Sequence, residues 1–291
     1  MELFYWCGKP SEDPHSLALL VYMQMSKADV KRTPCSHPSQ SPSGTLPCLQ
    51  AGTEHFDTLE SILQYLRKKG YNTDYDLTRQ QSTECVAVAA MVQQKLHSVL
   101  LYSLWCEDDT YGTYTYRWYG RVVPFPRNFW YASRRRRLVE SSLMALYGVS
   151  DLSLVKETVY SQARECLNLI SERLDGQKYF FGDTPTSIDA IIYSYISLLQ
   201  ATPVCHNQLN THIQACPPLT AFKALIQTTY ADRLPNSGKE PSFADSTSLL
   251  QRMKRREWWW ENHVNLASIV FAGTVMLSYA AARGILWHGK S

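Results

Sequence analysis

The sequence has no CxxC pair. Its eight cysteines, Cys7, Cys35, Cys48, Cys85, Cys106, Cys166, Cys205 and Cys216, are scattered over 291 residues, a pattern that argues against a redox dithiol or a zinc knuckle. Cys35 with His37 and Cys205 with His206 lack a second ligand pair at metal spacing, so no metal site is expected. No N-terminal signal peptide is recognised, and the thiols are expected to stay reduced in the cytosol. Net charge is also small: 29 basic against 26 acidic residues leave +3, which gives no reason to expect a nucleic-acid partner. There is no internal repeat, which excludes a solenoid.

What is present is a globular composition, 45% hydrophobic and 12% aromatic, in a chain long enough for two domains. The first 75 residues alternate strand and helix signals. "MELFYW" reads as an aromatic strand; "DPHSLALLVYMQM" follows as a helix, with Asp13 as its cap and Pro14 at its first position. "ADVKRTPC" is a second strand, residues 36–44 a Ser/Pro/His-rich loop, and "TLPCLQAG" with "EHFDT" a hairpin. "LESILQYLRKKG" closes this half as a helix with Lys68 and Lys69 in its last turn and Gly70 as its stop.

From Gln81 onward the pattern is helical, with helices expected over 82–105, 134–147, 151–174, 186–200 and 218–230. "FFGDTPTSIDAIIYSYI" opens the most apolar of these. Thr186, three residues before Asp189, suggests a reciprocal cap: the hydroxyl accepts from the Asp189 N–H and the carboxylate reaches back to the Thr186 N–H. Asp stands where Glu or Gln is commoner, which points to a specific buried geometry. "SRRRRL" (133–138) is the densest basic run, read as a solvated helix start or as a docking site for an acidic partner or lipid headgroups.

Residues 235–256 have the composition of a flexible linker. Between His263 and Arg283 lie nineteen uncharged residues, fourteen of them hydrophobic; as a helix they span about 28 Å, just enough for a bilayer. Trp258, Trp259 and Trp260 stand where an interfacial belt belongs, with Arg252, Lys254, Arg255 and Arg256 outside them and Arg283 beyond the span. A buried or surface helix is the alternative, since Asn265, Ser268, Thr274 and Ser278 soften the segment. The expectation is a tail anchor, residues 257–291, with its transmembrane helix at about 264–282 and the bulk of the chain in the cytosol.

A Leu-Pro before the third strand, "GDTPTSIDA" and "CPPLTAF" together resemble the glutathione transferase fold. "KKGYNTDYDLT", "RRLVESS", "ARECLNLISERLDGQKYFFGDTPTSIDA" and "YRWYG…PFPRNFW", with the anchor, are more specifically similar to metaxins of the metaxin-1 or metaxin-3 type. The resemblance implies an α+β chain: a thioredoxin-like domain over 1–75 and an all-helical transferase C-terminal-like domain over 76–234, followed by linker and anchor. It also implies a mitochondrial outer-membrane location. The implied role is non-enzymatic, with no cofactor: assistance to β-barrel precursors in the sorting and assembly machinery, beside a second metaxin and a channel-forming β-barrel.

Transferases hold the γ-glutamyl end of glutathione with an acidic-Ser dipeptide at a helix start. Aligning Tyr65-Leu66 with the end of that helix puts Thr58 and Leu59 there, without carboxylate or serine. Leu46-Pro47 matches the cis-proline turn, making Pro47 a cis-proline candidate that the fold alone also requires. Cys7, near the end of the first strand, is the remaining candidate nucleophile; with nothing else of the site present, it reads first as a small packing residue. A membrane-anchored glutathione-dependent transferase or peroxidase using Cys7 is therefore the alternative function. The aromatic segment 111–130 is least explained by a plain transferase. Trp118 and Tyr119 are its candidates for a partner interface, or for an internal cap on the helices.

Overall fold

The computed structural model describes residues 1–6, 13–35, 38–123, 130–201 and 208–234. Contacts divide the chain into two compact units, Met1–Pro241 and Ser242–Ser291, of which the first carries everything described below. Cys7, Trp258, Trp259, Trp260, Arg252, Lys254, Arg255, Arg256 and Arg283 lie outside the described residues.

The N-terminal half follows the order read from the sequence. Strand β1 (Glu2–Trp6) is followed by helix α1 (Pro14–Met25), β2 (Lys31–Cys35), β3 (Cys48–Ala51), β4 (Glu54–Phe56) and helix α2 (Leu59–Lys68). The sheet order is β2-β1-β3-β4, with β1 parallel to β2 and antiparallel to β3, and β3 antiparallel to β4. Pro34 is tolerated in β2 because that strand is an edge. Leu3 and Tyr5 alternate inward from β1, and burial of each such apolar side chain contributes about 1.5–3 kcal/mol. Asp13 caps α1 by accepting from the N–H of Ser16 at 2.9 Å and of His15 at 3.3 Å. Gly52, at φ +69°, supplies the left-handed turn between β3 and β4.

The rest is helical: α3 (Arg79–Leu101), α4 (Asp108–Thr110), α5 (Tyr116–Val122), α6 (Tyr131–Tyr147), α7 (Leu152–Leu174), α8 (Ser187–Ala201), α9 (Gln208–Ala215) and α10 (Pro217–Thr229). Helix α8 lies at the centre, packed by α1, α3, α9 and α10. Every residue from Ser187 to Ile196 is buried, which explains why its apolar pattern covers more than one stripe. The run Arg79–Cys106 is long and apolar enough to cross a membrane by length and composition, but α3 packs against α7 and α8 inside this unit.

The helices depart from expectation in three ways. Helix α3 starts three residues early because Thr78 and Gln81 form a reciprocal cap. It then passes at Tyr102 into a wide π turn, Tyr102–Cys106, and a second such turn, Tyr111–Thr115, joins α4 to α5. The Thr115 hydroxyl donates to the Leu104 carbonyl at 2.7 Å, so the two turns are tied together. Wide turns displace the usual ladder, and a side-chain donor re-satisfies a carbonyl left without one. Helices α4, α5 and α9 were not expected from the sequence.

Candidate functional site

The end of β1 and the start of α2 are where a transferase-like fold would place its chemistry. Pro47 is buried and follows a cis peptide bond before β3. At α2 the Thr58 hydroxyl accepts from the Ser61 N–H at 3.2 Å, and the Thr58 N–H donates to Ser61 Oγ at 3.3 Å. Leu59 is buried. The polar groups of Thr58 and Ser61 therefore satisfy one another; of the carboxylates beside them in sequence, Asp57 and Glu60, the latter accepts from Gln93 Nε2 at 2.9 Å.

The far end of β1 is roofed by aromatic rings. Trp6 stands 6.2 Å from both Trp118 and Tyr119, centroid to centroid. Tyr119 also meets Trp105 at 5.1 Å, Trp118 at 4.8 Å and Tyr131 at 5.4 Å. Trp118 is 8% exposed and Tyr119 7%. Of the two expectations for this pair, a partner interface or an internal cap on the helices, the burial supports the internal cap: both rings pack on Trp6, and Tyr119 also on Trp105 of the first π turn and on Tyr131.

Behind α2, a polar network joins the two halves. Asp74 accepts from the Ser187 N–H and hydroxyl, each at 2.7 Å, and from Arg67 Nη2 at 2.5 Å. Arg67 also donates to Ser187 Oγ at 3.0 Å. Two residues on, the carboxylate of the fully buried Asp189 accepts from the N–H groups of Phe180 (2.9 Å) and Thr186 (2.8 Å). The Thr186 hydroxyl also donates to it, at 2.7 Å, rather than accepting from the Asp189 N–H. That N–H goes to the Thr186 carbonyl at 3.2 Å. The reciprocal cap expected from the sequence is thus corrected in one arm, because a carboxylate has only lone pairs to offer and three donors converge on it. Burial pushes the Asp189 carboxyl up to about 6, against the pull of its hydrogen bonds from Thr186 and Phe180.

A third cluster lies among α1, α3 and α8. The His15 and His97 rings stack at 5.7 Å, and the His97 ring meets Tyr195 edge-on at 6.2 Å. The Tyr195 hydroxyl is 3.4 Å from His15 Nε2. Burial first, then the charges of His15 and Arg135, push His97 down to about 4, so it is neutral in the fold. Among the described residues no three His, Cys, Asp or Glu side chains converge as metal ligands. Burial raises the thiols of Cys85, Cys106 and Cys166, the last two to about 12, which makes them poor nucleophiles.

Comparison with known proteins agrees with this geometry. Over 98% of its length the chain is 34% identical to metaxin-1 of Mus musculus, covering 91% of that protein. The chain belongs to the metaxin family. It is likewise 35% identical to metaxin-1 of Sus scrofa over 98% of the chain and 91% of that protein. With metaxin-3 of Xenopus laevis it shares 33% identity over 79% of the chain and 76% of that protein. Residues 16–136 match the family described as outer mitochondrial membrane transport complex protein, and residues 163–226 the glutathione S-transferase C-terminal domain. A glutathione S-transferase from Actinobacillus pleuropneumoniae superposes with a TM-score of 0.53 at 14% identity, covering 86% of this chain and 98% of that one. The fold is therefore glutathione-transferase-like, a mixed sheet with a helical domain. Within this metaxin, Asp74 escaped sequence reasoning although it sits in the quoted "KKGYNTDYDLT"; nothing in the spacing signals a partner 113 residues away.

Proposed function

We propose that this metaxin is a non-enzymatic subunit of the mitochondrial outer-membrane protein-import apparatus. In this reading it serves the sorting and assembly of β-barrel precursors, beside a second metaxin and a channel-forming barrel. The whole-chain likeness to metaxins carries the reading, with the match of residues 16–136 to an outer mitochondrial membrane transport family beside it. The start of α2 supports the absence of chemistry, since Thr58 is engaged in its own cap and Leu59 is buried. The proposed organisation is a thioredoxin-like domain over 1–75, a helical domain over 76–234, a linker over 235–256 and a tail anchor over 257–291. A transmembrane helix at about 264–282 leaves the bulk in the cytosol.

The test is complementation. In cells lacking the protein, the full chain restores barrel assembly and resists alkaline extraction, whereas a chain ending at residue 256 accumulates in the cytosol and fails to restore it. Alkali-resistant membrane association of the shortened chain overturns the anchor. The transferase-like fold favours one second reading, a glutathione-dependent enzyme using Cys7. Specific retention on immobilised glutathione, released by free glutathione and lost in Cys7→Ser, would replace the first reading with this one.

A further inference from the structure

The basic run at the start of α6 is divided by the structure into one buried-side arginine and three outward ones. Arg136 turns under the helix. Its guanidinium donates to Asp108 at 2.7 Å and Glu140 at 2.8 Å and lies 4.5 Å from the Tyr111 ring centre. Arg134, Arg135 and Arg137 are exposed. Arg134 and Arg135 form no ion pair among the described residues. Glu140, the acidic residue of α6, is taken up by Arg136, so the outward half of the helix bears no carboxylate.

That half also carries large apolar side chains beside its small and basic ones. Leu138 is 52% exposed, Leu146 54%, and Trp130, at the N-terminal end, 51%. At about 100° per residue, Leu138 falls in the middle of the exposed arc, with Arg134 about 40° to one side and Arg135 about 60° to the other. Ala132, Val139 and Leu143 face the core on the other side. An aromatic end and a central leucine with an arginine on either side of it form the pattern of a helix lying in a headgroup plane, with Leu146 two turns on at the edge of the same arc. Leu138 enters the acyl boundary and the guanidinium groups of Arg134 and Arg135 reach sideways to phosphates. Charge on both flanks suits a planar field of anions better than a single acidic groove.

We infer that the exposed face of α6 docks the folded core onto an anionic lipid surface, with phosphate-bearing headgroups as its ligand. This deepens the proposed residence at the outer membrane and rests on it for the identity of the bilayer. Docking would fix the orientation of the helical domain, which a flexible linker alone leaves free.

The test uses the full chain with vesicles of phosphatidylcholine alone or of phosphatidylcholine plus phosphatidylinositol. Each is doped with a headgroup-photoreactive lipid, and attachment sites are mapped by mass spectrometry. Residues 130–147 are expected to cross-link in the anionic vesicles, with yield falling about tenfold or more in neutral vesicles, at high salt, or in R134E/R135E. Leu138→Ser should lower the yield without reducing folded protein. Equal yields in both vesicles, or yields unmoved by R134E/R135E, overturn the inference. So does an α6 that cross-links in mitochondria to a protein alone. Flotation separates this inference from the anchor. A failed face with a working anchor floats with both vesicles and is not labelled at 130–147. A working face with a failed anchor floats with anionic vesicles alone and is stripped by salt.

Discussion

Asp74 holds Ser187 twice, through its backbone N–H and its hydroxyl, each at 2.7 Å. The loop after α2 is thereby fixed to the first residue of α8, and Arg67 closes the arrangement from α2. Asp74→Ala would leave the Ser187 N–H without its acceptor and the partly buried guanidinium without its carboxylate, and is expected to lower unfolding free energy by about 2–4 kcal/mol in denaturant titrations. Arg67→Ala should cost less, because its side chain is 35% exposed. The double variant should lose less than the sum. Strict additivity would mean that the pair is not a unit.

The Asp189 cap makes an ordered pair of expectations. Thr186→Ala removes one donor and leaves the carboxylate with two backbone N–H partners, so a loss of about 1 kcal/mol is expected. Asp189→Ala orphans two buried N–H groups at once and should cost about 2–4 kcal/mol, with lower steady-state abundance in cells. The reverse order would show that the hydroxyl, not the carboxylate, organises the turn.

Two buried groups give opposite pH slopes. His97, lowered from 6.5 to about 4, contributes stability that is full above 6.5 and is lost as pH falls toward 4, because the unfolded state takes up the proton first. Asp189, raised from 3.8 to about 6, contributes stability present below 3.8 and lost as pH rises through 6. His97→Gln removes the first slope alone. Relative to this variant the unaltered chain should lose on the order of 2 kcal/mol between pH 6.5 and 4, allowing for partial solvent access to the ring. A pH-independent difference would refute the neutral buried imidazole.

Trp118 now calls for a different test from the one its sequence context suggests. With the ring buried against Trp6 and Tyr119, Trp118→Ala is expected to cost about 3–5 kcal/mol through the cavity it leaves. Co-purification of a partner should fall only as far as folded protein falls, and Trp118→Phe should recover most of both. Loss of the partner with thermal stability intact would return this residue to an interface.

Much of the fold was legible because its signals are local. Asp13-Pro14 announces α1, the strand patterns give β1 to β4 in order, and Leu46-Pro47 marks the turn that the structure holds cis. The start of α3 was missed by three residues because Thr78 and Gln81 were not read as a cap. The wide turns at Tyr102–Cys106 and Tyr111–Thr115 were missed because nothing in an aromatic-rich run distinguishes a displaced hydrogen-bond ladder from an ordinary one.

By itself the sequence determined which residues cap, turn and alternate, and the family to which they belong, since these depend on neighbours within a few positions. Tertiary structure decided where the side chains go. It turned Trp118 and Tyr119 inward, made the Thr186 hydroxyl a donor, gave Asp74 its distant partner and separated Arg136 from the three outward arginines of α6. Each of those outcomes depends on groups brought together across the fold, where desolvation makes every buried donor find an acceptor and every ring find a surface.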